Sequence, residues 1–185
     1  YLALQAMVNP GDEVLMPTPA WVSYKPMTEL AGGTFVEIPT TAASNFLATA
    51  EQFEAAITPK TRVVILNSPS NPCGTMYNDD ETQAICDVLA RHENITLISD
   101  EIYEQLIYGG RSHLYPASVD NMRERPITIN GLSKAFAATG WRVGYAAASG
   151  RSKAVIKAMS KLQSQMTSSV ASFTLPALTV ALESC

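Results

Sequence analysis

Charged residues are scarce in this sequence of 185 residues: 13 basic and 17 acidic side chains make up 16% of the chain and give a net charge of −4. Because 46% of the residues are hydrophobic, the composition excludes an intrinsically disordered chain. The acidic balance offers no basic surface, so we expect no nucleic-acid partner. No apolar run approaches the roughly 18 residues that a membrane-spanning helix needs, and we expect no membrane partner.

Cysteine and histidine are also few. Cys73, Cys86 and Cys185 form an odd set without short spacings, so neither a disulfide framework nor a zinc site is predicted. His92 and His113 have no partners at metal-ligand spacing, and we interpret both as surface or packing residues. The lack of a disulfide pattern favours a cytoplasmic protein.

Short apolar runs alternate with helical patterns along the whole chain. Strands are predicted at 13–16, 34–38, 62–66, 95–99, 127–130 and 143–148, with helical segments before and between them and after the last. Several of these runs are apolar throughout, which is typical of strands buried on both faces. The length and the alternation predict one α/β domain with three α/β/α layers and a mainly parallel sheet.

Local signals place the helix boundaries and the buried helix faces. Capping-box pairs begin two helices, at Thr49 with Gln52 and at Asn78 with Glu81. The predicted inward faces are Val22, Met27 and Leu30; Ile85, Val88 and Leu89; and Val155, Ile156, Met159 and Leu162. A further helical pattern with Leu175, Leu178 and Leu182 ends the chain. Cys86 is predicted to be a small core residue.

Polar side chains follow three of the predicted strands at their carboxyl ends, where parallel sheets bind ligands. They are Asn67 and Asn71, then Asp100 and Tyr103, then Ser133, Lys134 and Arg142. An acid, a phenol, amides, an amine and a guanidinium are therefore expected at one edge of the sheet.

The sequence around Lys134 does not match the motifs of several common catalytic and phosphate-binding sites. The chain lacks a P-loop, a nucleophile elbow and a dinucleotide-binding glycine motif. A Ser133–Lys134 hydrolytic dyad is possible by residue type, but adjacent residues on a strand-like segment point apart. An ordinary surface lysine is the remaining simple interpretation.

A Schiff-base lysine accounts for more of the set, because burial and a nearby cation favour the neutral amine that attacks an aldehyde. The aldehyde cofactor pyridoxal 5′-phosphate needs a carboxylate at its ring nitrogen, donors at its phenolic oxygen, a cation at its phosphate and a flat surface for its ring. These groups are offered, in that order, by Asp100, by Asn71 with Tyr103, by Arg142 and by Trp21. Each of these residues, taken alone, is also compatible with a structural role as a helix cap, a turn residue or a core residue.

Four segments resemble the class I/II aminotransferases of fold type I in letters, order and spacing. They are 67–74 (NSPSNPCG), 99–103 (SDEIY), 133–136 (SKAF) and 139–145 (TGWRVGY), and 9–12 and 17–21 match as well. The resemblance covers essentially the whole chain and is nearest to the bacterial aspartate aminotransferase branch. It implies the large domain of a fold type I enzyme that uses pyridoxal phosphate.

The resemblance also implies a role for each matching residue. Lys134 would bind the cofactor as a Schiff base and transfer the substrate proton, while Asp100 would pair with the ring nitrogen. Tyr103 and Asn71 would bond the phenolic oxygen, and Arg142 would hold the phosphate.

Trp21 would line the substrate side of the ring, and Asn71 would also approach the substrate. Many relatives carry a phosphate-binding serine or threonine where this sequence has Gly131, so Ser133 is only a weak substitute. Cis peptide bonds are expected before Pro19 and Pro72.

The implied reaction moves an amino group between an amino acid, expected to be aspartate, and a 2-oxo acid, expected to be 2-oxoglutarate. Residues 1–185 would form most of the large cofactor-binding domain of a homodimer, with the N-terminal part and the small domain outside the chain. Three alternatives stay open: a β-lyase or cyclopropane-forming synthase, the cofactor-binding domain of a transcription regulator, and a fragment without activity.

Overall fold

Six strands form one sheet in the computed structural model, which describes residues 1–184. The strands are β1 (Glu13–Thr18), β2 (Thr34–Pro39), β3 (Thr61–Asn67), β4 (Thr96–Asp100), β5 (Ile127–Gly131) and β6 (Gly144–Ala148). Their order is β2-β1-β3-β4-β5-β6. The first five are parallel, and β6 runs antiparallel to β5. The prediction of a mainly parallel sheet is confirmed.

Helices cover both faces of this sheet. They are α1 (Leu2–Met7), α2 (Tyr24–Leu30), α3 (Ala50–Ala56), α4 (Asp79–Ala90), α5 (Leu132–Ala135), α6 (Lys153–Met166) and α7 (Leu175–Ser184). None of these helices, within residues 1–184, combines the length and the apolar character needed to cross a bilayer. Cys185 lies outside the described residues.

Separate apolar cores fill the two spaces between the sheet and the helices. Successive side chains of β3 point to opposite faces, as the two-residue period of a strand requires. Val64 and Leu66 pack in the core with α3 and α4, whereas Val63 and Ile65 pack in the core with α1, α2 and α6. Both faces of β3 are therefore covered, which explains its uniformly apolar run and confirms the three-layer α/β/α architecture.

The predicted boundaries of α3 and α4 are confirmed. Thr49 and Asn78 each accept a hydrogen bond from the backbone three residues on, and each capping box is complete. The face of α4 that carries Ile85 and Leu89 is buried as predicted. Cys86 is fully buried in the same core, and burial raises the pKa of its thiol to about 12.

The predicted inward face of α2 is wrong at Val22 and Leu30, which are 81% and 71% exposed, whereas Met27 packs against the core as predicted. The helix begins only at Tyr24, so Val22 precedes it. Tyr24 and Thr28, one turn apart, form the buried face instead. Thr28 Oγ1 donates to the carbonyl oxygen of Tyr24 at 3.0 Å, so its buried hydroxyl is satisfied.

Candidate functional site

A cavity of about 290 Å³ opens at the carboxyl ends of β3, β4 and β5. It is lined by all seven residues that the sequence nominates for the site, namely Trp21, Asn71, Asp100, Tyr103, Ser133, Lys134 and Arg142. The structure therefore brings together side chains that are spread over more than a hundred positions of the chain.

The strand register fixes the floor of this cavity. Asn67 at the end of β3 lies beside Asp100 at the end of β4, and Asp100 lies beside Ile129 of β5. Asn67 Nδ2 donates to the backbone oxygen of Asp100 at 3.0 Å, and its Oδ1 accepts from the backbone N–H of Asn71 at 2.8 Å. One amide thus ties the loop after β3 to the end of β4.

Asp100 is the partly buried acid of the site. Its Oδ2 accepts a hydrogen bond of 2.7 Å from Tyr24 Oη, and its Oδ1 accepts one of 3.2 Å from the backbone N–H of Ile102. Burial raises the pKa of Asp100, although both hydrogen bonds pull it down. Burial and the neighbouring Asp100 also raise the pKa of Tyr24, which keeps the phenol protonated as a donor.

Tyr103 and Asn71 form the rim beside this acid. Asn71 Nδ2 donates a long hydrogen bond of 3.4 Å to Tyr103 Oη. Lys134 Nζ lies 5.8 Å from the centroid of the Tyr103 ring, within cation–π range. The amide, the phenol and the amine therefore share one side of the cavity.

Lys134 and Ser133 lie on α5, a single helical turn that follows β5 directly. The expectation of a strand-like segment here is wrong. The argument that the side chains of Ser133 and Lys134 point apart, which depends on a strand, therefore does not hold. Both side chains line the cavity.

Position 131, where the resemblance implies a serine or threonine in many relatives, has no room for a side chain in this structure. A Cβ atom on Gly131 would lie 2.7 Å from the carbonyl oxygen of Val143 and 3.0 Å from the Cα of Gly144. Both contacts are with backbone, which cannot move aside without disturbing the pairing of β5 and β6. The close approach of these strands therefore excludes a side chain at 131.

Arg142 enters the cavity from the loop between α5 and β6. Its backbone has a φ of +55°, in the left-handed region, and its Nη1 donates to the carbonyl oxygen of Thr139 at 2.8 Å. This leaves other guanidinium N–H groups to bind a ligand.

Trp21 closes the other side of the cavity. Its ring lies edge-on to that of Tyr24, with the centroids 5.3 Å apart, and the residue is 41% exposed. An exposed indole held in this way offers an apolar surface to a planar ligand.

Peptide bonds beside the site are cis, as expected, before Pro19 and Pro72. The bond before Pro69 is also cis and was not predicted.

Two of the lining residues that the sequence does not assign to the site, Tyr24 and Asn67, hold other parts of it in place. Tyr24 has no predicted role, because the predicted inward face of α2 does not include it. The four-residue spacing of Tyr24 and Thr28 is the signal that identifies it. Asn67 was noted at a strand end but not assigned, and the structure gives it a positioning role through its two backbone bonds.

The chemistry of the lining is specific. A partly buried carboxylate at one point suits a cation, while Lys134 and Arg142 suit an aldehyde and a phosphate. The lining also contains the phenol of Tyr103, the amide of Asn71 and the indole of Trp21. These are the groups that a planar, phosphorylated, cationic aromatic aldehyde requires.

Comparison with known proteins gives consistent matches. A family model described as aminotransferase class I and II matches residues 1–184. An aspartate/prephenate aminotransferase of Cereibacter sphaeroides is 47% identical over 169 residues, which is 91% of this chain and 42% of that protein. An aspartate aminotransferase of Rhizobium meliloti is 45% identical over 97% of this chain and 43% of its own.

Solved structures match equally well. The crystal structure of the aspartate aminotransferase from Rhizobium meliloti superposes with a TM-score of 0.94 at 44% identity, over all of this chain and 46% of that one. An aromatic aminotransferase from Pyrococcus horikoshii has a TM-score of 0.92 at 41% identity, over 98% of this chain and 48% of its own. The chain thus spans less than half the length of these relatives.

Proposed function

The chain belongs to the class I and II aminotransferases, and from this premise we propose that the protein transfers an amino group between an amino acid and a 2-oxo acid. This family depends on pyridoxal phosphate, and we propose that the protein binds it at Lys134. The observation that carries the proposal is the convergence of Lys134, Asp100 and Arg142 on one cavity. We further propose that the chain is most of the large domain of a homodimeric enzyme.

The residues present fit this cofactor. Asp100 is a partly buried carboxylate whose desolvation a cationic ring nitrogen would offset. Arg142 would hold the phosphate through paired N–H groups, with Ser133 as a second donor. Asn71 and Tyr103 would bind the phenolic oxygen, and Trp21 would cover the ring. When bound, the cofactor supplies an electron sink for negative charge that develops at the substrate Cα.

Lys134 has two proposed tasks. Its amine would hold the cofactor, and the free amine would act as general base on the substrate Cα proton and return that proton as general acid. Its place beside the Tyr103 ring, on a helical turn fixed to the end of β5, limits the positions it can reach. Such restriction lowers the entropic cost of proton transfer.

Asp100 would supply the electrostatic part. Held by Tyr24 and by the backbone of Ile102, its carboxylate cannot turn away from the cavity floor. A fixed anion stabilises a neighbouring cation without reorganisation during the reaction.

Aspartate with 2-oxoglutarate is the proposed substrate pair. The choice of aspartate is supported by the names of relatives, which include aspartate aminotransferases and an aspartate/prephenate aminotransferase.

The test uses the full-length protein that contains this chain. Borohydride reduction after loading with pyridoxal phosphate should fix the cofactor on the peptide that contains Lys134, as read by mass spectrometry. Lys134→Ala should lose this label and transaminate aspartate and 2-oxoglutarate at least about 10⁴-fold more slowly.

Lys60→Ala is the matched control, because Lys60 is exposed on the turn before β3 and should not affect either measurement. Near-normal turnover by Lys134→Ala, or a label on another lysine, would refute the proposed function.

A further inference from the structure

A carboxylate and an imidazole lie buried together next to the candidate site, and the proposed mechanism uses neither. Glu101 directly follows Asp100 and is 1% exposed, and the side chain of His113 is 6% exposed. Glu101 Oε1 accepts a hydrogen bond of 2.7 Å from Ser99 Oγ and lies 3.9 Å from His113 Nε2. Within residues 1–184, Glu101 Oε2 and His113 Nε2 have no hydrogen-bond partner.

The distance between the two groups fits an ion pair better than a hydrogen bond. At 3.9 Å the carboxylate and the ring nitrogen are too far apart for a hydrogen bond but well within the range of an ion pair. A buried carboxylate without a positive partner is strongly disfavoured. His113 is held in place by edge-on packing against Tyr115, with ring centroids 4.7 Å apart.

The other titratable groups around the pair do not supply positive charge. They are Asp100 and Glu104 on the same segment, Tyr115 on the loop after His113, and Tyr145 on β6. Burial, with Glu104 nearby, raises the pKa of Tyr115 to about 12, and burial also raises that of Tyr145. Both phenols are therefore neutral near pH 7, so His113 is the member of this set that can carry positive charge.

Arg111, the nearest cation along the chain, is engaged elsewhere. Its guanidinium donates to the carbonyl oxygen of Met76 at 2.9 Å.

We propose that Glu101 and His113 are positioning residues: a buried pair, of which Glu101 directly follows Asp100 in the chain, whose net charge sets how strongly Asp100 acts as an anion towards the cavity. With its imidazole protonated, His113 offsets the carboxylate of Glu101. Without that charge, Glu101 repels the carboxylate of Asp100 and favours the protonated acid, in agreement with the upward influence of Glu101 on the pKa of Asp100.

The consequence for the cofactor rests on the proposed function. A protonated Asp100 cannot hold a cationic ring nitrogen by charge. The charge of the Glu101–His113 pair should therefore affect the binding of pyridoxal phosphate. It should not affect the binding of an analogue whose ring nitrogen is replaced by CH.

The first measurement uses the full-length protein without cofactor, with ¹³C-labelled aspartate and the Asp100 carboxyl signal assigned through Asp100→Asn. The carboxyl shift is followed against pH in the parent protein, in His113→Gln and in His113→Gln combined with Glu101→Gln. The expected result is a rise of about tenfold in the proton affinity of Asp100 in His113→Gln. The double variant should return to within about twofold of the parent, because both charges are then absent.

Glu54→Gln is the matched control. Glu54 also pairs with a histidine, His92, at 2.9 Å, but this pair is solvent-exposed. The titration of Asp100 should be unchanged in this variant. Should His113→Gln fail to fold, His113→Lys retains a positive charge and should keep the proton affinity of Asp100 within about twofold of the parent.

The second measurement compares the dissociation constants of pyridoxal phosphate and its CH analogue. His113→Gln should reduce the preference for pyridoxal phosphate about tenfold, and the double variant should restore it. An unchanged Asp100 titration in His113→Gln, or a shift that persists in the double variant, would overturn the proposal. A shifted titration in a protein that binds no pyridoxal phosphate would instead leave the pair in place and refute the proposed function.

Discussion

Tyr24 on α2 donates a hydrogen bond of 2.7 Å to the carboxylate of Asp100 at the end of β4, across 76 positions of the sequence. The bond joins the helical layer to the floor of the cavity, so the acid of the site is oriented by an element outside the sheet. It also opposes the effect of burial, because a hydrogen bond to the charged form favours that form.

Tyr24→Phe should remove one of the hydrogen bonds that orient Asp100 without creating a large cavity in the core, since it removes only a hydroxyl. Loss of this donor raises the pKa of Asp100 further and leaves its Oδ2 free to rotate. We expect kcat/KM to fall about tenfold, through weaker hold on the ring nitrogen. Steady-state kinetics against Tyr108→Phe, a substitution at a residue that is 80% exposed, provide the check. Equal kinetics of the two variants would show that the bond is not used.

Asp100→Asn should separate stability from function. The folded-state pKa of Asp100 lies above its ordinary value of 3.8, so the native state binds this proton more tightly than the unfolded state does. Stability contributed by the protonated acid is therefore lost as pH rises from that ordinary value through the folded pKa. Asparagine has no such loss, so the cofactor-free variant should be the more stable protein at pH 7.

Denaturant unfolding at a series of pH values between about 4 and 8 measures this difference. The same variant should bind pyridoxal phosphate at least about 30-fold more weakly, because a charged partner is removed. Parallel pH profiles for the parent and Asp100→Asn would contradict the stability part of the prediction.

Gly131→Ala tests the close approach of β5 and β6. The added methyl group would collide with the backbone of Val143 and Gly144, and we expect a loss of about 2–3 kcal/mol in the free energy of unfolding. Gly140→Ala is the control, because a Cβ atom there meets no heavy atom within 4 Å. Similar stability of both variants would mean that the hairpin adjusts more easily than its geometry suggests.

Arg142→Lys tests the shape of the guanidinium rather than its charge. Lysine keeps the positive charge but cannot form two parallel bonds to a phosphate or retain the bond to Thr139 in the same geometry. We expect the affinity for pyridoxal phosphate to fall about tenfold, measured by fluorescence titration of the cofactor-free protein. Arg62→Lys, at the opposite end of β3, should bind as the parent does.

Much of the candidate site is visible in the sequence because its residues follow apolar strands. The runs that end at Asn67 and Asp100 are local patterns, and the carboxyl ends of parallel strands meet at one edge whatever the details of packing. The placement of Lys134 after β5 follows in the same way.

Other features depend on tertiary geometry that no local pattern carries. Val22 precedes α2, and packing buries the face of the helix that carries Tyr24 and Thr28, so Leu30 is left on the outside. The antiparallel direction of β6 is not indicated by its sequence, because its mostly small side chains suit either direction. The pairing of Glu101 with His113 depends on the path of a loop and likewise cannot be predicted from the sequence.

Lys134 and Arg142 both lie on the stretch that joins β5 to β6, and the two strands pair along their full length from Ile127–Ala148 to Gly131–Gly144. That stretch is thus a hairpin closed at its base, and its two cations share a single hinge. Fraying of the closing Gly131–Gly144 step would release the amine and the guanidinium in one event. Substitutions that disturb this pairing should therefore displace both groups together rather than one of them alone.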